Sequence, residues 1–202
     1  MNRLFSCIPG FLIPINSNRK ESLLRRNWAT KILPTGGVAD KPLPMSKLYI
    51  ETTIPSFYYN QRPEPEMVAR CNWTRQWWDG QIGDFEAATS YLVIEELEKG
   101  DHPQKAEKLA LLKSLPLFAV TPEVIEIAEV YIERFVMPRN DPSDAFHLAL
   151  ASYNQCDILL TWNCNHLANY RKFDHIRRVN TLLGLSTPAL LTPLELMGDS
   201  EA

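Results

Sequence analysis

From Lys47 onward, short apolar stretches alternate with longer segments of helical periodicity, and this alternation strongly limits the possible folds. Strands separated by helices of roughly ten to fifteen residues imply crossover connections and a parallel sheet covered on both faces. We therefore predict a three-layer α/β/α sandwich with a central, mainly parallel sheet. The predicted strands are Lys47–Glu51, Phe85–Thr89, Leu117–Val120, Asp157–Trp162 and a last edge strand at Leu190–Thr192.

The helices between these strands have recognisable start signals. Ser90 is predicted to cap a helix that runs through Glu98, and Thr121 to cap one that starts at Pro122 and whose apolar positions continue to Phe135. Further helices are predicted at 54–59, 65–78, 103–114 and 171–183, and in a segment opened by Asp141-Pro142.

Within the predicted helix at 65–78, one apolar stripe indicates the buried face. Met67, Cys71 and Trp78 are predicted to share it, with Val68 beside them. Thr74 interrupts the stripe, and Trp77 fits it less well. The prediction is therefore a helix whose buried face is only partly defined by the sequence.

The first 45 residues differ in character from the rest. Residues 1–44 contain seven Lys or Arg against two acids; of the chain's 21 basic and 24 acidic residues, 14 and 22 remain for the other residues. We predict a basic, poorly ordered extension at 1–45, a folded domain at 46–197 and a tail at 198–202. A targeting peptide and a phosphate-binding arm are alternatives to a dispensable extension, which we favour because Met45 directly precedes the first strand.

The composition excludes several classes of protein. With 45% hydrophobic and 22% charged residues, the chain is typical of a soluble globular protein, not a disordered one. A net charge of −3 excludes a strongly basic nucleic-acid coat. The sequence has no uninterrupted apolar run of about 18 residues, so no membrane span is predicted. The four cysteines are scattered without a CxxC pair, so we expect reduced thiols and a cytoplasmic location.

Polar residues fall where the predicted strands end. Glu51 ends the first strand and precedes Thr52, while Asn163 follows the strand that ends at Trp162. Asp144 lies in the first turn of the helix before that strand, and Glu96 lies in the helix after the second strand. In a parallel α/β sheet, ligands bind beyond the carboxyl ends of the strands. These residues are therefore candidates for a shared site.

Each acid also has a simpler explanation. Asp144 is a common type of first-turn acid, stabilised by the helix dipole. Glu96 stands between Glu95 and Glu98, so a solvated charged face is the alternative, and Glu95 competes for its role. Glu51 is harder to explain in this way, because a buried acid needs a partner.

Three acids gathered beside an amide at one edge would repel each other without a cation. Mg²⁺ or Mn²⁺ prefers oxygen ligands and can bridge to a phosphate. Such an ion orients and activates water for phosphodiester hydrolysis. We therefore expect a Mg²⁺- or Mn²⁺-dependent hydrolase.

Four segments together resemble PIN-domain proteins, and are most similar to the bacterial branch described as VapC-like. The resemblance covers about residues 46–197, and the last of the four segments is the most distinctive. The segments are Leu48–Tyr58, Tyr91–Asp101, Asp144–Ala151 and Asp157–Asn169.

The resemblance implies a metal-dependent endoribonuclease whose catalytic positions are Glu51, Glu96, Asp144 and Asn163, the first three being metal ligands. Its register favours Glu96 over Glu95. In the toxin branch it also implies an antitoxin protein as partner, and a homodimer. Thr52 and His147 are candidate partners of the acids, with a packed core histidine as the alternative for His147.

Two positions depart from the family pattern, because Glu51 and Asn163 stand where Asp is usual. The first is longer by one methylene, and the second lacks a negative charge. These departures favour, as an alternative function, a catalytically weak or inactive RNA- or protein-binding module.

Basic residues that could contact RNA are concentrated near the C-terminal helix. We predict phosphate contacts by Arg171, Lys172, Arg177 and Arg178, with a solvated helix face as the alternative. Weaker candidates are Arg70, Arg75 and Arg139. Among the tryptophans, Trp77, Trp78 and Trp162 are expected mainly in the core, although one near the crevice could stack on RNA.

Overall fold

A computed structural model describes residues 45–99, 103–139, 142–165 and 167–198. Some of the predicted features lie outside these residues: the extension apart from Met45, most of the C-terminal tail, Gly100 and Asp141. The domain boundaries at 45 and 198 therefore stay predictions.

The centre of the molecule is a five-stranded sheet in which every described pairing is parallel. The strand order is β3-β2-β1-β4-β5, so β1 lies in the middle, where Tyr49 is opposite both Ala88 and Leu159. This confirms the predicted parallel α/β/α architecture and the last edge strand. The strands are β1 (Lys47–Ile50), β2 (Glu86–Ser90), β3 (Leu117–Phe118), β4 (Ile158–Leu160) and β5 (Ala189–Leu191).

Eight α-helices are present in the described residues: α1 (Thr53–Tyr58), α2 (Pro65–Gln81), α3 (Tyr91–Glu98), α4 (Lys105–Leu112), α5 (Pro122–Glu133), α6 (Ser143–Tyr153), α7 (Phe173–Leu183) and α8 (Pro193–Gly198). Two predicted caps are confirmed: the side chain of Ser90 accepts from the Val93 amide at 3.3 Å, and that of Thr121 from the Val124 amide at 3.4 Å. The fourth helix starts later than predicted because Gln104 has a φ of 58°, outside the helical region.

The predicted buried face of α2 was wrong in detail. Trp77 is fully buried, whereas 43% of Val68 is exposed. Thr74 is buried as well, because its hydroxyl donates to the Arg70 carbonyl at 2.7 Å and accepts from Trp162 Nε1 at 2.7 Å. A hydroxyl that has hydrogen-bond partners costs little to bury. Thr74 therefore belongs to the buried face of α2, although it interrupts the apolar stripe in the sequence.

The prediction that the apolar face of the helix after Thr121 extends to Phe135 was also wrong. The helix ends at Glu133, and Phe135 has a φ of 57° and is 74% exposed. A residue in this conformation cannot continue a right-handed helix, so its ring leaves the core face.

Helix α6 is the most deeply buried helix of the described part of the chain. Every residue from Asp144 to Ser152 is buried, and only its first and last residues are partly exposed. Its almost wholly apolar sequence agrees with this position, since such a helix has no face suited to water. Burial of α6 fixes Asp144 rigidly within the fold.

No described helix combines the length and the apolar character needed to cross a membrane. Among the described cysteines, Cys71 and Cys156 are buried and Cys164 is exposed, and all three are free thiols.

Candidate active site at the carboxyl edge of the sheet

Glu51 follows directly after the central strand and is only 3% exposed. Its carboxylate accepts hydrogen bonds from the Thr53 amide, at 2.9 Å, and from the Thr53 hydroxyl. Burial raises the pKa of Glu51, although the charge of His147 and hydrogen bonds from Thr53 and Thr161 oppose the shift. A buried acid at this position is thus held by short polar side chains of the same sheet edge.

Glu96 reaches the same edge from α3. Its carboxylate accepts from the hydroxyls of Thr52 and Ser143 and lies 3.2 Å from Nε2 of His147. Burial acts to raise the pKa of Glu96, but the charge of His147 and these hydrogen bonds outweigh it and lower the pKa to about 2. Glu96 is therefore anionic at neutral pH. Its partners come from Thr52, just before α1, and from Ser143 and His147 of α6.

His147 connects the acids to the interior. Burial acts to lower the pKa of this imidazole, yet the charges of Glu96, Glu51 and Asp144, together with the hydrogen bond to Glu96, raise it. Its Nδ1 lies 2.9 Å from the Tyr49 hydroxyl. His147 thus contacts Glu96 and is also a packed, hydrogen-bonded core residue, and its role as a partner of metal-binding acids stays a prediction.

Asp144 and Asn163 form a direct pair. Asp144, at the start of α6, is 5% exposed, and both of its carboxylate oxygens accept from the Asn163 side-chain amide, at 2.8 and 2.9 Å. The backbone amide of Asn163 donates to the Thr161 hydroxyl at 2.8 Å. The loop after β4 is therefore fixed against the N-terminus of α6.

Two contacts join these parts into one network. The Thr53 hydroxyl, which donates to Glu51, also accepts from the Trp162 amide at 2.8 Å, and Trp162 precedes Asn163. Ser143, which precedes Asp144, donates to Glu96. All four residues predicted as catalytic thus belong to one network at the carboxyl edge of the sheet.

The residue types match a hard divalent cation, because carboxylate and amide oxygens are its preferred ligands. The contacts, however, differ from the predicted cluster. Among the described residues, no three His, Cys, Asp or Glu side chains lie close enough together to hold one ion. Each acid instead has its own protein donors, which a bound cation would have to displace.

The four predicted RNA-binding residues differ in their surroundings. Lys172 is partly buried, and burial lowers its pKa while the charge of Asp144 opposes the shift, so this ammonium is electrostatically coupled to the site. Arg171 and Arg178 are exposed, and Arg177 donates to Asp174 at 3.0 Å. Their contact with RNA remains a prediction.

Several residues of the network were not predicted. The Tyr49 hydroxyl lies 2.8 Å from Ser90 Oγ as well as close to His147, and Ser143 and Thr161 hold Glu96 and Glu51. A tyrosine inside a strand is usual in a core, so its sequence context carried no functional signal. Ser143 could have been inferred only from its position next to Asp144.

Fold and site together define a parallel α/β/α protein with an acidic site at the carboxyl edge of its central strands. The family model of the PIN domain matches residues 69–171, which is just over half of the chain. The chain therefore belongs to the PIN-domain family, as its sequence motifs predicted.

Comparisons with solved structures and with curated proteins add nothing to this family assignment. A solved structure described as "Structure of FitAB bound to IR36 DNA fragment" aligns with a TM-score of 0.43 and 14% sequence identity, over 72% of this chain and 94% of that chain. No curated protein matches the sequence.

Proposed function

We propose that this PIN-domain protein is a Mg²⁺- or Mn²⁺-dependent endoribonuclease that hydrolyses RNA phosphodiester bonds. PIN domains are generally nucleases. The observation that carries the proposal is that Glu51, Glu96 and Asp144, from three separate elements, join one network with Asn163 at the edge where α/β proteins bind ligands.

In this proposal Glu51, Glu96 and Asp144 would hold the cation, with Asn163 assisting, once the cation has displaced the protein donors that each acid now has. When bound, the cation supplies Lewis-acid activation of water and charge stabilisation at phosphorus. The chain's own residues prepare the ligands. His147 keeps Glu96 ionised, Thr53 favours the ionised form of Glu51, and the Asn163 amide orients the Asp144 carboxylate.

The substrate in this proposal is single-stranded or loop RNA, approached through Arg171, Lys172, Arg177 and Arg178. Lys172 differs from the three exposed arginines in being partly buried, and its positive charge interacts favourably with that of Asp144. RNA is a polyanion, so positive charge beside the acidic site is needed to bring it close.

The resemblance to the VapC-like branch supports a role as the toxin of a toxin–antitoxin pair in the cytoplasm. An antitoxin protein would then bind this chain, and the chain would form a homodimer. These partners rest on the resemblance of the four segments taken together and not on a described contact.

A second function is favoured by a specific observation. Every acid of the site is hydrogen-bonded by protein donors, and at position 163 an amide stands where the family usually has Asp. Such a site is stable without a cation, as expected for a weak or inactive PIN-fold module that binds RNA or protein.

A cleavage assay separates the two functions. Labelled RNA is incubated with the full chain in Mn²⁺, in EDTA, and with the Asp144→Asn variant in Mn²⁺. Asp79→Asn is the matched control, because Asp79 is an exposed acid that accepts from the Tyr58 hydroxyl. The nuclease predicts cleavage by wild type and Asp79→Asn only.

Retained RNA binding without cleavage under every condition would instead support the binding module. A calorimetric titration with Mn²⁺ gives a second readout. Heat that is present for the wild type and lost in Asp144→Asn supports a metal site, and its absence at millimolar Mn²⁺ contradicts one.

A further inference from the structure

We propose that Arg70 binds a backbone phosphate of the RNA next to the acidic site. The inference rests on the proposed function, in that RNA is the ligand. Arg70 lies in α2, on an element that provides none of the predicted catalytic residues. Together with the rings of Phe57 and Trp162 it forms a unit that we call the Arg70 shelf.

The shelf adjoins the site through the backbone. Nη1 of Arg70 donates to the carbonyl oxygen of Trp162 at 3.3 Å. The next residue is Asn163, whose amide donates to Asp144. The guanidinium therefore lies at the end of β4, where the chain enters the acidic network.

Two aromatic rings hold the guanidinium. Its Cζ lies 5.5 Å from the ring centroid of Phe57 and 5.3 Å from that of Trp162. Cation–π contacts of this kind leave the N–H groups at the rim of the planar guanidinium directed away from the ring faces. A held, planar fork of donors suits the recognition of phosphate oxygens.

Trp162 serves as the support of the shelf. Its ring stacks on Trp73 at a centroid distance of 6.1 Å and an interplanar angle of 24°, and its Nε1 donates to Thr74 at 2.7 Å. Only 6% of Trp162 is exposed. A ring this buried cannot stack on a base, so of the two roles considered for this tryptophan, core packing is the one it has.

The charge of Arg70 is available to a ligand. The Arg70 side chain is 23% exposed. Its Nη2 lies 2.5 Å from Oε1 of Glu66, one helical turn away, and the Glu66 side chain is 66% exposed. An ion pair whose carboxylate is this exposed contributes little to stability, so a phosphate can replace the glutamate. Arg62, whose Cζ lies 5.9 Å from the same Phe57 ring, adds a second cation.

Arg75 provides a matched comparison on the same helix. Its Cζ also lies over an aromatic ring, Tyr58 at 5.7 Å, and its Nε donates to a backbone carbonyl, that of Tyr58 at 2.8 Å. The contacts are the same in kind, but the carbonyl belongs to α1 and not to the end of β4. The sequence alone ranked the two arginines equally.

The test measures RNA binding without cleavage. Fluorescence anisotropy of a fluorescein-labelled single-stranded oligouridylate is followed in EDTA at several salt concentrations, for the full-length wild type, Arg70→Met, Arg70→Lys and Arg75→Met. Methionine keeps an apolar stem against the rings, and thermal melting confirms that each variant is folded.

We expect Arg70→Met to weaken binding roughly tenfold and to lower the salt slope by about 0.7, the value for one phosphate contact on a single strand. Arg70→Lys should keep the salt slope, and Arg75→Met should match the wild type. Equal affinity and slope for Arg70→Met and Arg75→Met would overturn the inference, as would a wild type that does not bind the RNA.

This result is independent of the nuclease assay. Binding that depends on Arg70, in a protein that never cleaves RNA, refutes the proposed nuclease and leaves the phosphate contact intact. Cleavage by a protein whose RNA binding does not depend on Arg70 would support the nuclease and refute the phosphate contact of Arg70.

Discussion

The side-chain amide of Asn163 donates to both carboxylate oxygens of Asp144, at 2.8 and 2.9 Å. In the family pattern that predicted the site, position 163 is an acid, and two acids in this arrangement would repel each other. The amide turns that repulsion into a hydrogen-bonded pair. Asn163 therefore stabilises the site when no cation is bound.

Replacing Asn163 with aspartate should reverse this balance. In EDTA, the Asn163→Asp variant loses the amide donor and gains a like charge, and we expect a loss of about 1–3 kcal/mol of unfolding free energy. Added Mn²⁺ should raise its melting temperature more than that of the wild type, because the extra carboxylate is a better cation ligand. Differential scanning fluorimetry with and without Mn²⁺ measures both effects.

Asn163→Ala is the control, since it removes the amide without adding charge. It should share the loss of stability in EDTA but not the larger response to Mn²⁺. If Asn163→Asp responds to Mn²⁺ no more than Asn163→Ala does, residue 163 does not face the cation.

His147 and Glu96 should give the protein a characteristic dependence on pH. The raised pKa of His147 adds stability below the ordinary value of 6.5 that is lost as the pH rises through the raised pKa. The lowered pKa of Glu96 adds stability above its ordinary value of 4.5 that is lost as the pH falls toward about 2. Both contributions are present together between pH 4.5 and 6.5.

The destabilisation caused by His147→Gln should therefore be largest between these two pH values and shrink on either side. Urea unfolding of the wild type and the variant across the pH range measures it. A difference in unfolding free energy that does not change with pH would contradict a charged His147 in the folded protein.

Removal of the Tyr49 hydroxyl should weaken the same network from the inside. In Tyr49→Phe, the buried Nδ1 of His147 and Oγ of Ser90 lose a shared partner. The expected cost is about 1–3 kcal/mol. The pH dependence of the unfolding free energy should change as well, because the hydroxyl contacts the titrating imidazole.

Tyr131→Phe is a matched control for this substitution. Tyr131 is also a fully buried tyrosine whose hydroxyl has two partners, Ser152 at 3.2 Å and Asn180 at 2.5 Å. It should lose similar stability while keeping the wild-type pH dependence. If the two variants have the same pH profile, Tyr49 has only a packing role.

The consecutive threonines after β1 should differ in their effect. Thr53→Val removes the donor to Glu51 and the acceptor of the Trp162 amide, whereas Thr52→Val removes only the donor to Glu96. We expect a loss of about 1–3 kcal/mol for Thr53→Val and a smaller loss for Thr52→Val, because an unpaired buried amide is costly. Chemical denaturation of the two variants measures this, and an equal loss would contradict the connecting role of Thr53.

Much of the fold was predictable because its signals are local. The caps at Ser90 and Thr121 depend on residues three positions apart, and the strand at 158–160 is a short apolar run between turn residues. The exceptions also have physical causes. Burial of Thr74 depends on a bond to Trp162, a residue 88 positions away, which no helical period can reveal.

The amino-acid sequence was enough to predict the parallel sheet, the membership of the PIN family through its ordered motifs, and which acids stand at strand and helix ends. The folded structure was needed to show how those acids are satisfied: Glu51 by Thr53, Glu96 by His147, and Asp144 by Asn163. It also separated Arg70 from Arg75. The reason is that helix and strand periods depend on neighbouring residues, whereas a buried charge is stabilised by donors that chain folding brings from distant positions.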